Sequence, residues 1–316
     1  MADKAGGARL AAPATPPFPQ PPNRLYLGRM PELPEVETVR RGLAPVLEGA
    51  RLSRVEARRP DLRFAFPDGF VQRLAGARIV RLDRRAKYLL AALDRDETLV
   101  MHLGMSGRFE IVGAAAVQRP GDFALAQPPD PRHAHVVFET EAGVTVTFYD
   151  PRRFGYMDLI PTETLEAHPW FRDLGPEPLG CGFDAAHLAR AFEGRRQSVK
   201  ATLLDQRIVA GLGNIYVCEA LFRAGVAPQT PAGEIGRRRL AALVKVVRAV
   251  LLEAIEAGGS TLRDYAGADG ALGYFQHRFS VYGREGEACL RKGCGGQIGR
   301  IVQGGRSTFF CRRCQA

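Results

Sequence analysis

Short runs in which apolar and polar residues alternate fill the first half of the sequence, and this period of two is typical of β-strands that bury one face. A helix is predicted before these runs. Pro34 suits a first helical turn, and Glu35 and Glu37 favour the positive end of the helix dipole. The pattern predicts a leading helix and an antiparallel β-sandwich over residues 31–160. The predicted strands are Arg78–Asp83, Tyr88–Leu93, Leu99–Leu103, His135–Glu139 and Val144–Phe148.

The pattern changes after a proline-rich bridge that runs from Pro161 to Pro178. Beyond the bridge, apolar residues recur at the spacing of one helix face, and a glycine-rich, cysteine-bearing tail ends the sequence. The fold class is therefore predicted to be α+β. The predicted helices are Ala185–Phe192, Ser198–Asp205, Ile215–Ala224 and Ile235–Ala257, the last with apolar positions Leu240, Leu243, Val244, Val247, Val250 and Leu251.

The first 29 residues differ in composition from the rest. They contain six prolines and neither a periodic apolar face nor the continuous apolar segment of a secretory signal. We expect a disordered leader over residues 1–29 and a packed protein from Met30 onward. The expected domains are 30–160 for the sandwich, 161–280 for the helical domain and 281–316 for the tail.

The charge balance indicates the class of partner. The chain has 44 Lys and Arg against 34 Asp and Glu, a net charge of +10. Such an excess predicts a polyanionic partner, nucleic acid first and an anionic membrane surface second. Since no apolar run approaches the roughly 18–20 residues of a membrane span, an integral membrane protein is excluded.

Four of the six cysteines lie in the tail, at Cys289, Cys294, Cys311 and Cys314. Two close pairs of thiolates are what a tetrahedral Zn²⁺ requires, so we predict one structural zinc ion. Gly304-Gly305 between the pairs predicts a hairpin. Residues 289–316 also carry six Lys and Arg and no acidic residue. A zinc ribbon can serve only to staple a small domain, but a basic ribbon favours contact with phosphates.

A glycine-rich turn, Gly211-Leu212-Gly213-Asn214, separates two predicted helices, and Asn214 is predicted to cap the second. Exposed amides at that helix start would bind a phosphate. Four basic residues upstream either form a phosphate clamp or belong to a solvated helix face: Arg195, Arg196, Lys200 and Arg207.

Other candidate functional residues lie in the first half of the sequence. Lys87 stands beside apolar residues at a strand edge, where partial burial would lower its pKa. His133 and His135 are either metal ligands or, flanked by arginine, phosphate contacts. In Asp150-Pro-Arg-Arg-Phe-Gly155, Phe154 is either exposed or a plug of the core.

Seven motifs of this sequence resemble those of bacterial formamidopyrimidine-DNA glycosylases, and they occur in the same order as in that family. They are P-E-L-P-E-V-E-T after Met30, R-R-A-K-Y-L-L, H-L-G-M-S-G, D-P-R-R-F-G, L-G-P-E-P-L, G-L-G-N-I-Y and the four-cysteine tail. The related endonuclease-eight enzymes share the Pro-Glu start and the zinc finger. P-E-L-P-E and D-P-R-R-F favour the branch that removes oxidised purines.

The resemblance implies a catalytic β-sandwich domain, a helix–two-turns–helix DNA-binding domain and a C-terminal β-hairpin zinc finger, with DNA in the cleft between them. It also implies that the damaged base is flipped out of the duplex. The nucleophile is the secondary amine of Pro31, which forms a Schiff base with the deoxyribose. Glu32, Lys87 and Arg306 match the proton donors for ring opening, β-elimination and δ-elimination.

The resemblance further implies the DNA contacts. Met105, Arg152 and Phe154 fill the gap left by the flipped base, and His133, Arg195 and Asn214 contact the DNA. A loop near Gly267–Phe275 covers the lesion. The implied substrate is double-stranded DNA with oxidised bases or abasic sites, bound by a monomer in the bacterial cytoplasm at the nucleoid, with no membrane partner.

One position departs from the implied chemistry. Pro31 follows Met30, so its nitrogen is a tertiary amide that cannot attack a sugar. Either translation begins at Met30, with later removal of that methionine, or the leader is cleaved; we expect the first. If Pro31 is never N-terminal, the alternative is a DNA-binding zinc protein without enzymatic activity. An endonuclease-eight type of enzyme for oxidised pyrimidines is the other alternative.

Overall fold

The computed structural model describes residues 30–113, 117–120, 129–260 and 275–315. The expected leader, residues 1–29, lies outside the described residues, as does the expected lesion-covering loop apart from Phe275. Within the described ranges, none of the helices combines the length and the apolar character needed to cross a membrane.

The first helix, α1, spans Leu33–Leu47, and Pro34 lies in its first turn as predicted. Its apolar positions Val36, Val39, Leu43 and Leu47 recur three or four residues apart and are all buried. This face packs onto the β-sandwich and belongs to the same hydrophobic core. The helix therefore fixes its own N-terminal end, with Glu32 directly before it, relative to the sheets.

Two antiparallel sheets form the sandwich. Their strands, with the short helix α2, are β1 Leu52–Ala57, α2 Phe70–Leu74, β2 Ile79–Arg85, β3 Tyr88–Leu93, β4 Glu97–His102, β5 Arg108–Val112, β6 Val117–Gln118, β7 Ala134–Thr140, β8 Thr145–Tyr149 and β9 Tyr156–Pro161. One sheet has the strand order β1-β7-β8-β5-β6 and the other the order β2-β3-β4-β9. The predicted sandwich is confirmed. The five predicted strands correspond to β2, β3, β4, β7 and β8, whereas β1, β5, β6, β9 and α2 were not predicted.

The alternation of β3 shows how the second sheet is covered on both faces. Leu89, Ala91 and Leu93 point into the core between the sheets. Tyr88 and Leu90 on the opposite face pack with residues of the bridge, which contains a 3-10 helix at Thr162–Ala167. The bridge is thus part of the folded protein and covers the outer face of this sheet.

The helical part follows the predicted pattern closely. Its helices are α3 Ala185–Phe192, α4 Val199–Leu204, α5 Asn214–Ala224 and α6 Arg237–Glu256. The six apolar positions predicted to form one face of the last helix are all buried. In α5 every residue from Ile215 to Phe222 is buried, so this helix is the centre of the domain. Side chains cap two helices: Asp184 accepts the His187 N–H at 2.7 Å and Ser198 accepts the Ala201 N–H at 3.3 Å.

The tail forms a two-stranded antiparallel hairpin, β10 Ile298–Gln303 and β11 Arg306–Cys311. Gly304 and Gly305 make the turn with φ of +55° and +73°, values in the left-handed region that favours glycine. The predicted hairpin is confirmed. The architecture as a whole is α+β, as predicted from the sequence.

Candidate functional site

The start of α1 lies directly on the glycine-rich turn before α5. The carboxylate of Glu32, which is only 4% exposed, accepts the Ile215 N–H at 3.0 Å through Oε1, and the Leu33 N–H donates to the Gly211 carbonyl at 3.2 Å. A Cβ at Gly213 would lie 2.1 Å from Glu32 Cδ, so only glycine leaves room for the carboxylate.

The predicted capping role of Asn214 is wrong, because Asn214 is the first residue inside α5 and Gly213 precedes the helix without a side-chain cap. Glu32 provides the cap from another part of the chain. Its carboxylate thereby meets the positive end of the helix dipole.

Burial raises the pKa of Glu32 to about 7, the negative charge of Glu35 adds to the rise, and the positive charge of Lys87 and backbone N–H groups oppose it. Its second oxygen, Oε2, has no hydrogen-bond partner among the described residues. At neutral pH a large fraction of this carboxyl is therefore protonated, and the group can donate a proton to a molecule placed beside it.

Lys87 lies on the two-residue turn between β2 and β3, where Arg85 pairs with Tyr88 and Ala86 has a φ of +52°. Burial lowers the pKa of Lys87, and the positive charge of Arg306 lowers it further, whereas Glu32 and Glu35 oppose the change. Lys87 therefore lies within electrostatic range of Glu32, Glu35 and Arg306. Pro31, which directly precedes Glu32 in the chain, is partly exposed.

Arg306 is exposed at the start of β11, and the residues after it are bound to the helical part. The Ser307 carbonyl accepts from Asn214 Nδ2 at 2.9 Å and from Lys200 Nζ at 3.3 Å, and Thr308 Oγ1 accepts from Lys200 Nζ at 2.6 Å. Lys200 is 0% exposed, so it is neither a phosphate clamp nor part of a solvated face. Asn214 instead joins the start of α5 to the hairpin, and its amide also donates to the Tyr282 hydroxyl at 3.1 Å.

A buried carboxylate holds two loops together at the edge of the sandwich. Asp150 Oδ2 accepts the Gly155 N–H at 2.7 Å, and its Oδ1 accepts the Ser106 hydroxyl. Ser106 Oγ in turn accepts the Arg152 N–H at 3.1 Å. Met105 thereby lies on the loop beside the one that carries Arg152 and Phe154.

Phe154 is 40% exposed, and the Arg152 guanidinium lies 4.9 Å from the centre of its ring. The interpretation that Phe154 plugs the core is therefore wrong. The structure brings the three predicted gap-filling residues to one edge.

The remaining predicted contacts lie near these elements. His133 ends a 3-10 turn, and its carbonyl accepts the Asp150 N–H at 3.0 Å. His135 is buried with Nε2 3.0 Å from the Asp150 carbonyl, so the two histidines do not form a metal site. Arg195 is exposed after α3; its charge acts on Asp205, whose pKa is lowered mainly by a hydrogen bond from Arg207.

The four tail cysteines come together as predicted. The Sγ atoms of Cys289 and Cys314 are 3.6 Å apart, those of Cys294 and Cys311 are 3.6 Å apart, and all four lie within 4.8 Å of one another. Thiolates around a tetrahedral zinc at about 2.3 Å are separated by about 3.8 Å. The cluster therefore fits one structural Zn²⁺, which would join the two ends of the hairpin domain.

Sequence reasoning missed two residues of the site. Glu35, interpreted only as a dipole partner, accepts the Glu32 N–H at 2.9 Å, the Tyr216 hydroxyl at 2.5 Å and the Ser260 N–H at 2.8 Å. His102 accepts the Gly104 N–H at 3.0 Å through Nδ1, and burial together with the charges of Lys87 and Arg63 lowers its pKa to about 3. Its ring is therefore neutral and leaves Nε2–H as a donor beside Lys87. The only signal in the sequence was that Glu35 and His102 lie inside the motifs of the resemblance.

Three family models match the chain in order. The formamidopyrimidine-DNA glycosylase N-terminal domain matches residues 30–157, the formamidopyrimidine-DNA glycosylase H2TH domain matches 174–266, and the zinc finger found in FPG and IleRS matches 286–316. The third match covers the four-cysteine hairpin and supports its assignment as a zinc finger.

Curated relatives and solved structures give the same result. The formamidopyrimidine-DNA glycosylase of Phenylobacterium zucineum is 70% identical over 286 residues, which cover 90% of this chain and 100% of that protein; the Cereibacter sphaeroides enzyme is 60% identical with the same coverage. The Thermus thermophilus enzyme is 41% identical, with a TM-score of 0.75 over 90% of this chain and 98% of the other. The Lactococcus lactis enzyme in complex with DNA that contains an abasic site is 32% identical, with a TM-score of 0.77 over 90% of this chain and 99% of the other. The chain therefore belongs to the formamidopyrimidine-DNA glycosylase family.

Proposed function

We propose that this protein removes oxidised purines from double-stranded DNA and then cuts the strand at the abasic site. The observation that carries the proposal is the buried carboxyl of Glu32, which has a pKa of about 7 and a free oxygen. Glu32 directly follows Pro31 in the chain, and it lies within electrostatic range of Lys87, on which the charge of Arg306 also acts. Solved Lactococcus lactis relatives bound to DNA with an abasic site or a Fapy-dG lesion support the choice of substrate.

In the first step the Pro31 nitrogen, as a free secondary amine, attacks C1′ of the damaged nucleotide. The bond from C1′ to the base breaks, and the base leaves with the electron pair and takes up a proton in place of the one that the Pro31 nitrogen releases. Glu32 then donates its proton to the sugar ring oxygen, so that the ring opens and the bond from nitrogen to C1′ becomes an iminium. A free α-amine titrates near ~8, so part of it is neutral and nucleophilic at pH 7.

The iminium then withdraws electrons from C2′. Loss of the C2′ proton expels the 3′ phosphate in a β-elimination, and a further proton loss expels the 5′ phosphate in a δ-elimination. We assign the donor or phosphate-binding role in the first elimination to Lys87 and in the second to Arg306. The positive charge of Lys87 acts on Glu32, and that of Arg306 acts on Lys87.

The proposed DNA contacts follow the same geometry. Met105, Arg152 and Phe154 would occupy the gap that the flipped nucleotide leaves, which offsets part of the cost of unstacking. His133, Arg195 and Asn214 would contact the DNA backbone, and the basic zinc finger would add affinity that does not depend on sequence.

We assign the catalytic domain to residues 30–160, and DNA binding to 161–280 together with the zinc finger, 281–316, which also contributes Arg306 to catalysis. We expect the protein to act as a monomer in the bacterial cytoplasm, at the nucleoid.

The experiment that tests the proposal is borohydride reduction, which converts an iminium into a stable covalent link to DNA. A form of the protein that begins at Pro31 should become linked to a duplex with oxidised guanine opposite cytosine and should cut it. A form that retains Met30 and the residues before it should bind but should not become linked, because its Pro31 nitrogen is acylated. Mass spectrometry must verify each N-terminus.

Two outcomes would contradict the assignment. Linkage of the intact longer form at the same rate would make an internal amine, Lys87 first, the nucleophile. Faster cutting of a thymine-glycol duplex than of the oxidised-guanine duplex would assign the protein to oxidised pyrimidines instead.

A further inference from the structure

Two phenylalanine rings stand out from the surface on neighbouring loops. Phe154 is 40% exposed and Phe64 is 49% exposed, and an arginine guanidinium lies over each ring, Arg152 at 4.9 Å and Arg63 at 5.6 Å from the centroid. The Arg63 N–H donates to the Gly155 carbonyl at 3.0 Å, so the two loops are joined. The proposed gap-filling role uses Phe154 and leaves Phe64 unexplained.

Phe64 is the exposed end of a larger group of rings. The Trp170 ring lies 6.2 Å from it at an angle of 29°, and the Tyr156 ring lies 5.3 Å from it at 70°. Trp170 also stacks with Tyr88 at 6.2 Å and 16°, and the hydroxyl of Tyr156 donates to that of Tyr88 at 3.0 Å. We call Phe64, Tyr88, Tyr156 and Trp170 the aromatic shelf.

The row of rings extends from the surface toward Lys87, one of the proposed catalytic residues. Tyr88 follows Lys87 in the chain, and the His102 ring stacks on Tyr156 at 4.8 Å and 10°. The Arg63 guanidinium lies 5.6 Å from the centre of the Phe64 ring at one end of the shelf, and Lys87 directly precedes Tyr88 at the other. Cations along a track, with aromatic faces beside them, are the combination by which proteins bind single-stranded nucleic acid.

The exposure of Phe64 distinguishes the shelf from core packing. The hydroxyl of the buried Tyr156 is hydrogen-bonded to that of Tyr88, and Tyr88 and Trp170 are both partly exposed, whereas half of Phe64 faces solvent. An exposed phenylalanine that needs no partner is unremarkable alone. This one adjoins the loop proposed to enter DNA and continues a row of rings toward Lys87.

From this arrangement we infer that Phe64 and Trp170 bind an unpaired nucleobase of the DNA strand that passes Lys87, so that the enzyme accepts lesions beside a junction between duplex and single strand. The inference rests on the proposed function, since it requires DNA at Lys87. Its substrate class is a damaged duplex with an adjoining single-stranded stretch.

The chain contains one tryptophan, Trp170, whose fluorescence therefore reports on the shelf directly. The probe is a duplex with a stable abasic-site analogue, either blunt or extended by about ten unpaired thymidines on the 5′ or the 3′ side of the analogue. One of the two extensions should quench Trp170 emission about twofold more than the blunt duplex does and should tighten binding about fivefold or more, as expected for one stacked base.

Phe64→Leu should lose the added quenching and the added affinity, whereas Phe64→Tyr, which keeps the ring, should retain both. Leu252→Ala is the matched control, because Leu252 is likewise 49% exposed but lies on α6. The inference is overturned if neither extension quenches more than the blunt duplex, or if Phe64→Leu responds as the unchanged protein does.

Borohydride linkage to blunt oxidised-guanine duplex, measured on the same proteins, separates the two hypotheses. Its absence from the unchanged Pro31 form would refute the proposed function. Normal linkage without a response to either extension would refute the shelf alone. Equal linkage by Phe64→Leu also verifies that this variant is folded.

Discussion

Glu32 and Glu219 are both buried against α5, yet their surroundings differ in one respect. Glu219, on the helix itself, accepts three backbone N–H groups, from Ser280 at 2.9 Å, Val281 at 3.0 Å and Tyr282 at 2.9 Å. Glu32 accepts the Ile215 N–H through Oε1, while its Oε2 has no partner among the described residues. Buried polar atoms are normally satisfied, and an exception calls for an explanation. The comparison shows Glu219 as an anchor of the chain, and it supports the proposed role of Glu32 as a proton donor.

Glu32→Gln tests this difference most strongly. The amide keeps the size of the side chain but has no acidic proton, so iminium formation by the Pro31 form should slow by about 10²–10⁴-fold. Single-turnover borohydride linkage measures the rate, and urea unfolding should show a stability within about 1 kcal/mol of the original. Linkage at an unchanged rate would remove Glu32 from the mechanism.

Gly213→Ala should have the next largest effect, because the added Cβ would lie 2.1 Å from Glu32 Cδ and must displace the carboxylate. A displacement of about 1 Å can cost about 10²-fold in rate. Gly236→Ala is the control: Gly236 also precedes a helix, but a Cβ there meets nothing within 4 Å. The same single-turnover measurement should separate the two variants, and equal rates would mean that the position of Glu32 is not critical.

Glu219→Gln should lower the free energy of unfolding and leave the rate of the reaction unchanged. At least one of the three N–H groups would face the new amide NH₂ and lose its acceptor, which costs about 1–3 kcal/mol for a buried donor. Urea unfolding measures the loss, with the linkage rate per folded molecule unchanged. A normal stability, or a rate as low as that of Glu32→Gln, would erase the distinction between the two carboxylates.

The smallest expected effect is a shift in the pH dependence of the reaction rate. Because Glu32 must be protonated to donate, the rate of ring opening should fall as pH rises through its pKa of about 7. The negative charge of Glu35 raises this pKa and the positive charge of Lys87 lowers it. Glu35→Gln should therefore move the alkaline limb of single-turnover borohydride linkage, which follows ring opening, to lower pH, and Lys87→Met should move it to higher pH. Shifts in the same direction for both variants would assign the limb to another group.

The sequence pattern correctly predicted those strands, helices and ligand clusters that depend on residues close together in the chain. Tyr88–Leu93 and Ala185–Phe192 have the predicted bounds, because strand alternation and helical spacing are properties of short segments. The zinc cluster was predictable for the same reason, since spacing within 26 residues determines it. Strand β1 was missed because the consecutive residues Ser53 and Arg54 are both exposed at an irregularity in its pairing with β7, which breaks the alternation of apolar and polar residues.

Contacts between distant segments were not predictable. Lys200 has the charge of a phosphate ligand, and nothing in its neighbours indicates that it is buried beneath Thr308. The cap that Glu32 provides to α5 joins residues 183 positions apart and replaces the local cap expected from Asn214. Periodicity carries no information at that range, so the site could be predicted only through its resemblance to a known family.

The same 183-residue separation has a consequence for synthesis on the ribosome. Glu32 is among the first folded residues to emerge, whereas Ile215 follows roughly 10–40 s later at about 5–20 residues per second. During that interval the carboxyl is in water, where glutamic acid has its ordinary pKa near ~4.3 and is ionised. A nascent chain, or a fragment that ends before α5, therefore carries a complete nucleophile without its proton donor. On the proposed mechanism, efficient strand cutting requires the helical domain to be folded against the first residues, so unfinished chains should cut DNA far more slowly than the complete protein.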